Sequence, residues 1–319
     1  HYVLTDDVNL SAYGNWTPIG TEDHPFEGVF DGQSHVVTGL KIDRAGEGYQ
    51  GLFGYVSGLD NEHKAQLKNI VVQDAQIRAR AEVGAVVGRY GQFTQGFVEP
   101  LENCAMIGGT IQGTTGSLGQ SSFVGGIVGR AYGEIQRCYA TGSIIALDSA
   151  IYYGGIVGES YKRAVNDCYS AVNLSGTAKY TYDFGGIVGK CSGTVTNCYA
   201  TGDVIGTGEY TGTFGGVVGC ALGDVSNCYA TGIVKGEFSI GGVVGQTDGS
   251  GSTYGTVSGC IALNASVESS PFYPIGRVAS TLGTTGVLSG NYAWAEMPVN
   301  GSPVTTGNHD NLNGADLTY

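Results

Sequence analysis

From about residue 51 to 295, short apolar runs recur at a fixed interval, each fenced by glycine and polar residues. A pentad Gly-Gly-Ile/Val-Val-Gly stands at Gly125–Gly129, Gly154–Gly158, Gly185–Gly189, Gly215–Gly219 and Gly241–Gly245. Gly84–Gly88 carries Ala85 in its second place; Gly51–Gly54 is a degenerate first copy and Ile275–Ala279 a decayed last one. A second run follows each pentad, clearest as Val195-Thr196-Asn197-Cys198-Tyr199-Ala200-Thr201-Gly202 and Val225-Ser226-Asn227-Cys228-Tyr229-Ala230-Thr231-Gly232. These runs are short and β-rich, and no apolar stripe of helical period accompanies them, which excludes helical repeats. A unit of about 30 residues with two or three short strands cannot bury its own apolar side, whereas stacked units bury it jointly. The pattern predicts an all-β chain: one right-handed parallel β-solenoid of about nine coils, roughly 40–45 Å long at about 4.8 Å per coil. A propeller blade needs about 40–45 residues and is excluded by the shorter period. Residues 1–50 read as an N-terminal variant coil or cap, 51–295 as the repeat solenoid, and 296–319 as an irregular tail.

Within a unit, the twin glycines mark a tight corner, by close backbone approach or by positive φ. The residue before the cysteine position is Asn69, Asn103, Arg137, Asp167, Asn197, Asn227, Gly259 and Gly290. Asn, Asp and Gly tolerate the left-handed region best, so this is a second corner, with Arg137 the exception, and stacked Asn side chains are expected to form an amide ladder. Alternation places Cys198 and Ala200 on one side and Tyr199 and Thr201 on the other. Small Cys and Ala suit a narrow interior, leaving Tyr139, Tyr169, Tyr199 and Tyr229 outside; the inverse requires a wider coil. Cys104, Cys138, Cys168, Cys198, Cys228 and Cys260 then form a core ladder. Their Cβ vectors run parallel about 4.8 Å apart, beyond what a disulfide prefers, so they are expected to be free thiols. Cys191 and Cys220 fall outside the ladder and one position out of register; free thiols are favoured there over a bridge.

Composition narrows the function. The chain has 28 acidic and 15 basic residues, a net charge of −13. Binding phosphate backbones needs clustered Lys and Arg, so nucleic acid is excluded as partner. No 18-residue apolar run predicts a membrane-spanning helix. The first residues show neither an initiator Met nor a secretion leader and read as a processed or cut chain. Five scattered His at 1, 24, 35, 63 and 309 and the lack of a Cys-x-x-Cys argue against a metal site, and no cofactor fingerprint stands in proper context. The acidic clusters Asp6-Asp7 and Asp60-Asn61-Glu62 read as solvated loops, with Ca²⁺ binding as the competing reading. The acids of the repeats (Glu134, Glu159, Asp167, Asp203 and Asp224) follow no stacked pattern that would line a groove, and Lys162-Arg163 reads as a solvated loop. No catalytic residue is assigned.

The unit Phe-Gly-Gly-Ile-Val-Gly followed by Asn-Cys-Tyr-Ala-Thr-Gly resembles the GLUG motif, a repeat of bacterial surface and secreted proteins. Trp16-Thr17-Pro18-Ile19-Gly20, Phe26 through Gly32, His35 and Gly39-Leu40-Lys41-Ile42 are similar to the segment that often precedes such repeats. The resemblance covers most of residues 15–292 and implies an extracellular, adhesin-like setting in gut-type bacteria. Some relatives are attached to a secreted metallopeptidase, whose His-Glu-x-x-His is absent here, and the motif has no catalytic residues to transfer. The expectation is a non-enzymatic module at the bacterial cell surface. It presents the Tyr139, Tyr169, Tyr199 and Tyr229 row, with Thr141, Thr201 and Thr231 beside it, to a glycan or protein of a host or neighbouring cell. A passive spacer carrying other modules is the alternative, and a polysaccharide-degrading enzyme a third reading. An exposed solenoid end further predicts end-to-end self-association.

Overall fold

The computed structural model describes residues 1–93, 97–114, 122–247, 255–283 and 286–318. It is a parallel β-solenoid whose coils have four walls. The first wall contains ten strands, from Tyr2–Val3 and Val29–Asp31 through Val165–Asn166, Val195–Thr196 and Val225–Ser226 to Val287–Ser289, so the chain winds through nine turns. The second wall is a double ladder, spanned whole by Tyr139–Ala146 and Tyr169–Gly176 and split in the next coil into Tyr199–Ala200 and Val204–Gly206. The third wall runs over seven strands from Glu82–Val83 to Ile275–Gly276, and the fourth over eight from Phe53–Val56 to Ala279–Leu282.

The 30-residue period becomes registry. Val165, Val195, Val225 and Val257 pair in sequence on the first wall, and Val157, Val188, Val218 and Val244 on the fourth. All these valines are fully buried, each contributing on the order of 1.5–3 kcal/mol by its burial. Inside the third wall Tyr153, Phe184 and Phe214 stack at centroid distances of 4.9 and 5.0 Å.

The twin-glycine corner does not use positive φ. Its glycines are required by close approach: a Cβ on Gly186 would lie 2.0 Å from the Gly216 carbonyl oxygen, and one on Gly216 would lie 2.1 Å from that of Gly242. The second corner is left-handed throughout, from Asn69 (φ 54°) and Asn103 (53°) to Asn197 (55°) and Asn227 (53°). Arg137 adopts the same conformation at φ 52°. The amide ladder is local. Asn69 donates to Asp31 at 2.9 Å, Asn103 to Asn69 at 3.1 Å, Arg137 to Asn103 at 3.0 Å and, further along, Asn197 to Asp167 at 3.1 Å.

Both ends depart from the repeat. Residues 1–50 supply two strands to the first wall, Tyr2–Val3 and Val29–Asp31, rather than one variant coil. The tail is more ordered than its composition suggests. Pro298–Val299 and Ser302–Pro303 form an antiparallel pair, and Ala315–Leu317 adds to Tyr292–Trp294. Arg277 is fully buried there, donating to the carbonyls of Asn313, Trp294 and Gly314 and pairing with Asp316 at 2.6 Å.

Candidate functional site

The tyrosine row lies on the outside of the second wall. Tyr139, Tyr169, Tyr199 and Tyr229 are consecutive register partners, while Cys198 and Ala200 on either side of Tyr199 face inward. Tyr169 and Tyr199 stack at 4.5 Å with 26° between planes, and Tyr199 and Tyr229 at 4.9 Å with 8°. Ring faces so arranged cover one another, and what points outward is a ridge of ring edges and phenol hydroxyls. Thr201 joins this ridge, its hydroxyl 3.3 Å from that of Tyr169. Thr141 turns elsewhere and accepts from the Gly108 amide at 2.9 Å, while Thr231 is half-buried.

The six ladder cysteines are buried and carry free thiols, Cys191 is a further buried free thiol, and Cys220 is buried. Each ladder thiol donates to the carbonyl two residues before it, as Cys168 does to Asn166 and Cys228 to Ser226, both at 3.1 Å. The amides of Cys168 and Cys198 in turn donate to the sulfur of the next coil at 3.4 Å. Contact with neighbouring sulfurs, reinforced by burial, pushes the Cys168, Cys198 and Cys260 thiols up. Burial, with a smaller push from the Glu159 charge, raises Cys191 to about 12 against a hydrogen bond with the Gly193 backbone. The ladder ends in a substitution: Asn291 takes the cysteine place, its side chain accepting from the Cys260 amide at 2.9 Å and donating to Val257 at 2.8 Å.

A charged seam where the third wall meets the fourth has no counterpart among the expectations from sequence. The residue after each pentad points outward from the fourth wall, giving the register column Arg89, Arg130, Glu159, Lys190, Cys220 and Gln246. Facing it is a column of left-handed bulges on the third wall: Ala81, Tyr152, Asp183, Thr213 and Ser239 have φ between 42° and 69°, and pairing skips them. Bulges re-aim side chains out of a ladder, which is how Tyr152 and Asp183 reach the seam.

The seam is closely neutralised. Glu82 is ion-paired to Arg89, Arg130 lies 2.6 Å from Glu159 and 3.9 Å from Glu82, and Arg89 lies 3.9 Å from Glu22. Aromatic rings cover the cations: Tyr49 sits 4.7 Å from the Arg89 guanidinium and Phe123 4.3 Å from that of Arg130. Lys190 lies 4.8 Å from the Tyr152 ring and donates to its hydroxyl at 3.3 Å. Burial pushes the Asp183 carboxyl up to about 7, against the opposing pull of Lys190 and a hydrogen bond with Thr213. Burial likewise raises Tyr49 to about 12. Two acids absent from any repeating sequence pattern, Glu82 and Glu159, therefore share one seam. Glu159 had a legible signal in the position after its pentad, whereas Glu82, two residues before a pentad, had none.

The fold and its columns define a β-solenoid repeat protein. Three stretches of it match the GLUG motif: residues 121–145, 180–205 and 210–235. Halomucin of Haloquadratum walsbyi is 28% identical over 128 residues, which cover 39% of this chain and 1% of that protein. A provisionally named Gly-rich membrane protein of Evansella cellulosilytica is 35% identical over 99 residues, covering 28% of this chain and 11% of that protein. The chain thus matches only a small part of these relatives. A solved structure provisionally named an immunoglobulin A1 protease, from Bacteroides ovatus, superposes with a TM-score of 0.55 at 22% identity, over 81% of this chain and 76% of that one. That likeness is one of fold alone.

Proposed function

We propose that this chain is a non-enzymatic surface module of an extracellular repeat protein, presenting a long, repetitive face to a glycan or protein of a host or neighbouring cell. The observation that carries this reading is the outward ridge of Tyr169, Tyr199, Tyr229 and Thr201. It offers hydroxyls at the coil spacing from a wall held rigid by parallel pairing. The names of two relatives, a halomucin and a Gly-rich membrane protein, support display at a surface.

A passive spacer is the second reading, favoured by the same stacking, because rings that pack on one another already stabilise the wall. The two readings part in one experiment. The purified chain and its Tyr199→Ala/Tyr229→Ala variant are screened on an array of glycans and matrix proteins, with melting followed alongside. The surface-module reading expects a reproducible ligand that the variant loses while remaining folded. A spacer gives no ligand, and the substitutions then only lower the melting temperature, each ring pair accounting for about 0.5–1.5 kcal/mol.

A further inference from the structure

The passage from the fourth wall to the first varies in length, and two of its longer versions meet on one side of the solenoid. From the fourth wall to the first, the shortest passage is seven residues, from Val128 to Ile135, Val188 to Val195 and Val218 to Val225, and it lengthens near both ends of the stack, from Phe53 to Leu67, Val244 to Val257 and Ala279 to Leu288. From Val87 to Leu101 it takes fourteen, and from Val157 to Val165 eight. The long excursion brings out Phe93, and the extra residue brings out Lys162 and Arg163. The coil between them, of the shortest length, contributes Tyr132. Insertions that depart from a solenoid repeat map to loops on one side of the stack, often the binding side.

Together Gln92, Phe93, Tyr132, Tyr161, Lys162 and Arg163 line a pocket of about 460 Å³ across three coils, and none of them is acidic. The rings meet at an angle: Phe93 lies 5.1 Å from Tyr161 at 40° and 6.0 Å from Tyr132 at 88°, and Tyr132 and Tyr161 are tilted by 56°. Tilted rings leave faces open where the stacked row on the second wall closes them, and Phe93 is 61% exposed.

The cations are held toward this space. Arg163 donates from Nε to the Tyr132 carbonyl at 2.9 Å, and the Arg163 carbonyl accepts from the Ser160 hydroxyl at 2.7 Å. Lys162 is in the left-handed region at φ 56°, its amide bound to the Ser192 hydroxyl at 3.0 Å and its ammonium 5.3 Å from the Tyr161 ring. Left-handed backbone at a long side chain is costly and persists where its surroundings impose it. Among the described residues neither Lys162 nor Arg163 has a carboxylate partner, although the chain carries 28 acids to 15 bases.

We propose that this pocket binds a carboxylated pyranose, with the sugar's C–H face on the Phe93 and Tyr161 rings and its carboxylate on Arg163 and Lys162. Aromatic faces supply the apolar platform, and a guanidinium matches a carboxylate through paired N–H donors. The site is distinct from the tyrosine row but rests on the reading of the chain as a glycan-contacting module.

The test is calorimetric titration of the intact chain with trigalacturonate and with sialyllactose, which carry the carboxylate on a uronic and a sialic residue, and with uncharged maltotriose. Saturable binding is expected for at least one carboxylated sugar, weakening with salt, and the responding arm names its source. Phe93→Ala and Arg163→Gln are both expected to weaken it by about tenfold or more; both residues lie outside the core, so folding is retained. Silence from both acidic sugars, equal binding of maltotriose, or affinity untouched by either substitution would overturn the assignment. Silence from both acidic sugars together with an array ligand lost in Tyr199→Ala/Tyr229→Ala would reject this pocket and leave the module reading standing.

Discussion

A thiol in water is a nucleophile in waiting; the eight thiols of this chain are not. Each ladder sulfur donates to a backbone carbonyl, and burial and neighbouring sulfurs raise the pKa values of Cys138, Cys168, Cys198, Cys228 and Cys260. The thiolate is the reactive form, so raised values mean inertness. In the native chain a thiol reagent at about pH 8 is expected to find almost nothing on the timescale of surface cysteines. After denaturation without reductant, all eight should react. A native count of two or more, or a denatured count short by a pair, would show a thiol outside the ladder's protection or a disulfide within the chain. The ladder was readable from spacing alone because cysteine is small and recurs every 30 residues. The role of Asn291 as its terminus was not, since an amide replacing a thiol announces no pattern.

At the scale of elements, the most consequential devices are corners and bulges. Corners betrayed themselves through residue type: Asn, Asp and Gly before the cysteine predicted a left-handed turn, and even Arg137 conforms because coils above and below dictate its backbone. The bulge column left no such trace. Tyr152, Asp183 and Thr213 share no chemistry, and a bulge is a property of pairing between strands, invisible along one of them. Asp183 gives the column a measurable signature. Its carboxyl titrates near 7 in the folded chain and near 3.8 when unfolded. Between those values the unfolded chain releases a proton that the folded chain keeps, so this group lowers stability as pH rises through that window and costs a constant amount above it. Asp183→Asn, neutral at every pH, should match the parent's melting temperature near pH 4 and exceed it by at least about 2 °C near pH 8. An offset independent of pH would mean that the carboxyl is not held neutral by burial.

On the scale of the whole molecule, the solenoid was the most legible feature, because a repeat that cannot bury its own apolar side leaves few architectures open. The sites were less so. Tyr139, Tyr169, Tyr199 and Tyr229 could be placed outside by alternation, but the ring stacking that turns their edges outward depends on coil spacing. The Phe93 pocket rests on two lengthened passages, and lengths carry information only once the walls are known in three dimensions. The tail likewise reads as irregular in composition, yet Leu312 accepts backbone hydrogen bonds from Val278 and Ala279 and Ala315–Leu317 lies along Tyr292–Trp294.

The glycine corner has a consequence for how such a chain changes length over evolutionary time. Where each Cβ would strike the carbonyl of the adjoining coil, no copy can drift alone, so the twin glycines of the corner are frozen while whole copies remain interchangeable. Tyr199 and Tyr229 occupy equivalent places one turn apart. Excising residues 199–228 therefore joins Cys198 to Tyr229 without disturbing any column, and the product should fold into a rod about 4.8 Å shorter, detectable by small-angle scattering. Removing one residue fewer leaves the junction strand one place out of step, turns its inward side chains outward and should lower the melting temperature below that of the 30-residue deletion. A protein built this way can adjust its reach in whole turns, by copying or losing a segment of its gene, without redesigning a single contact.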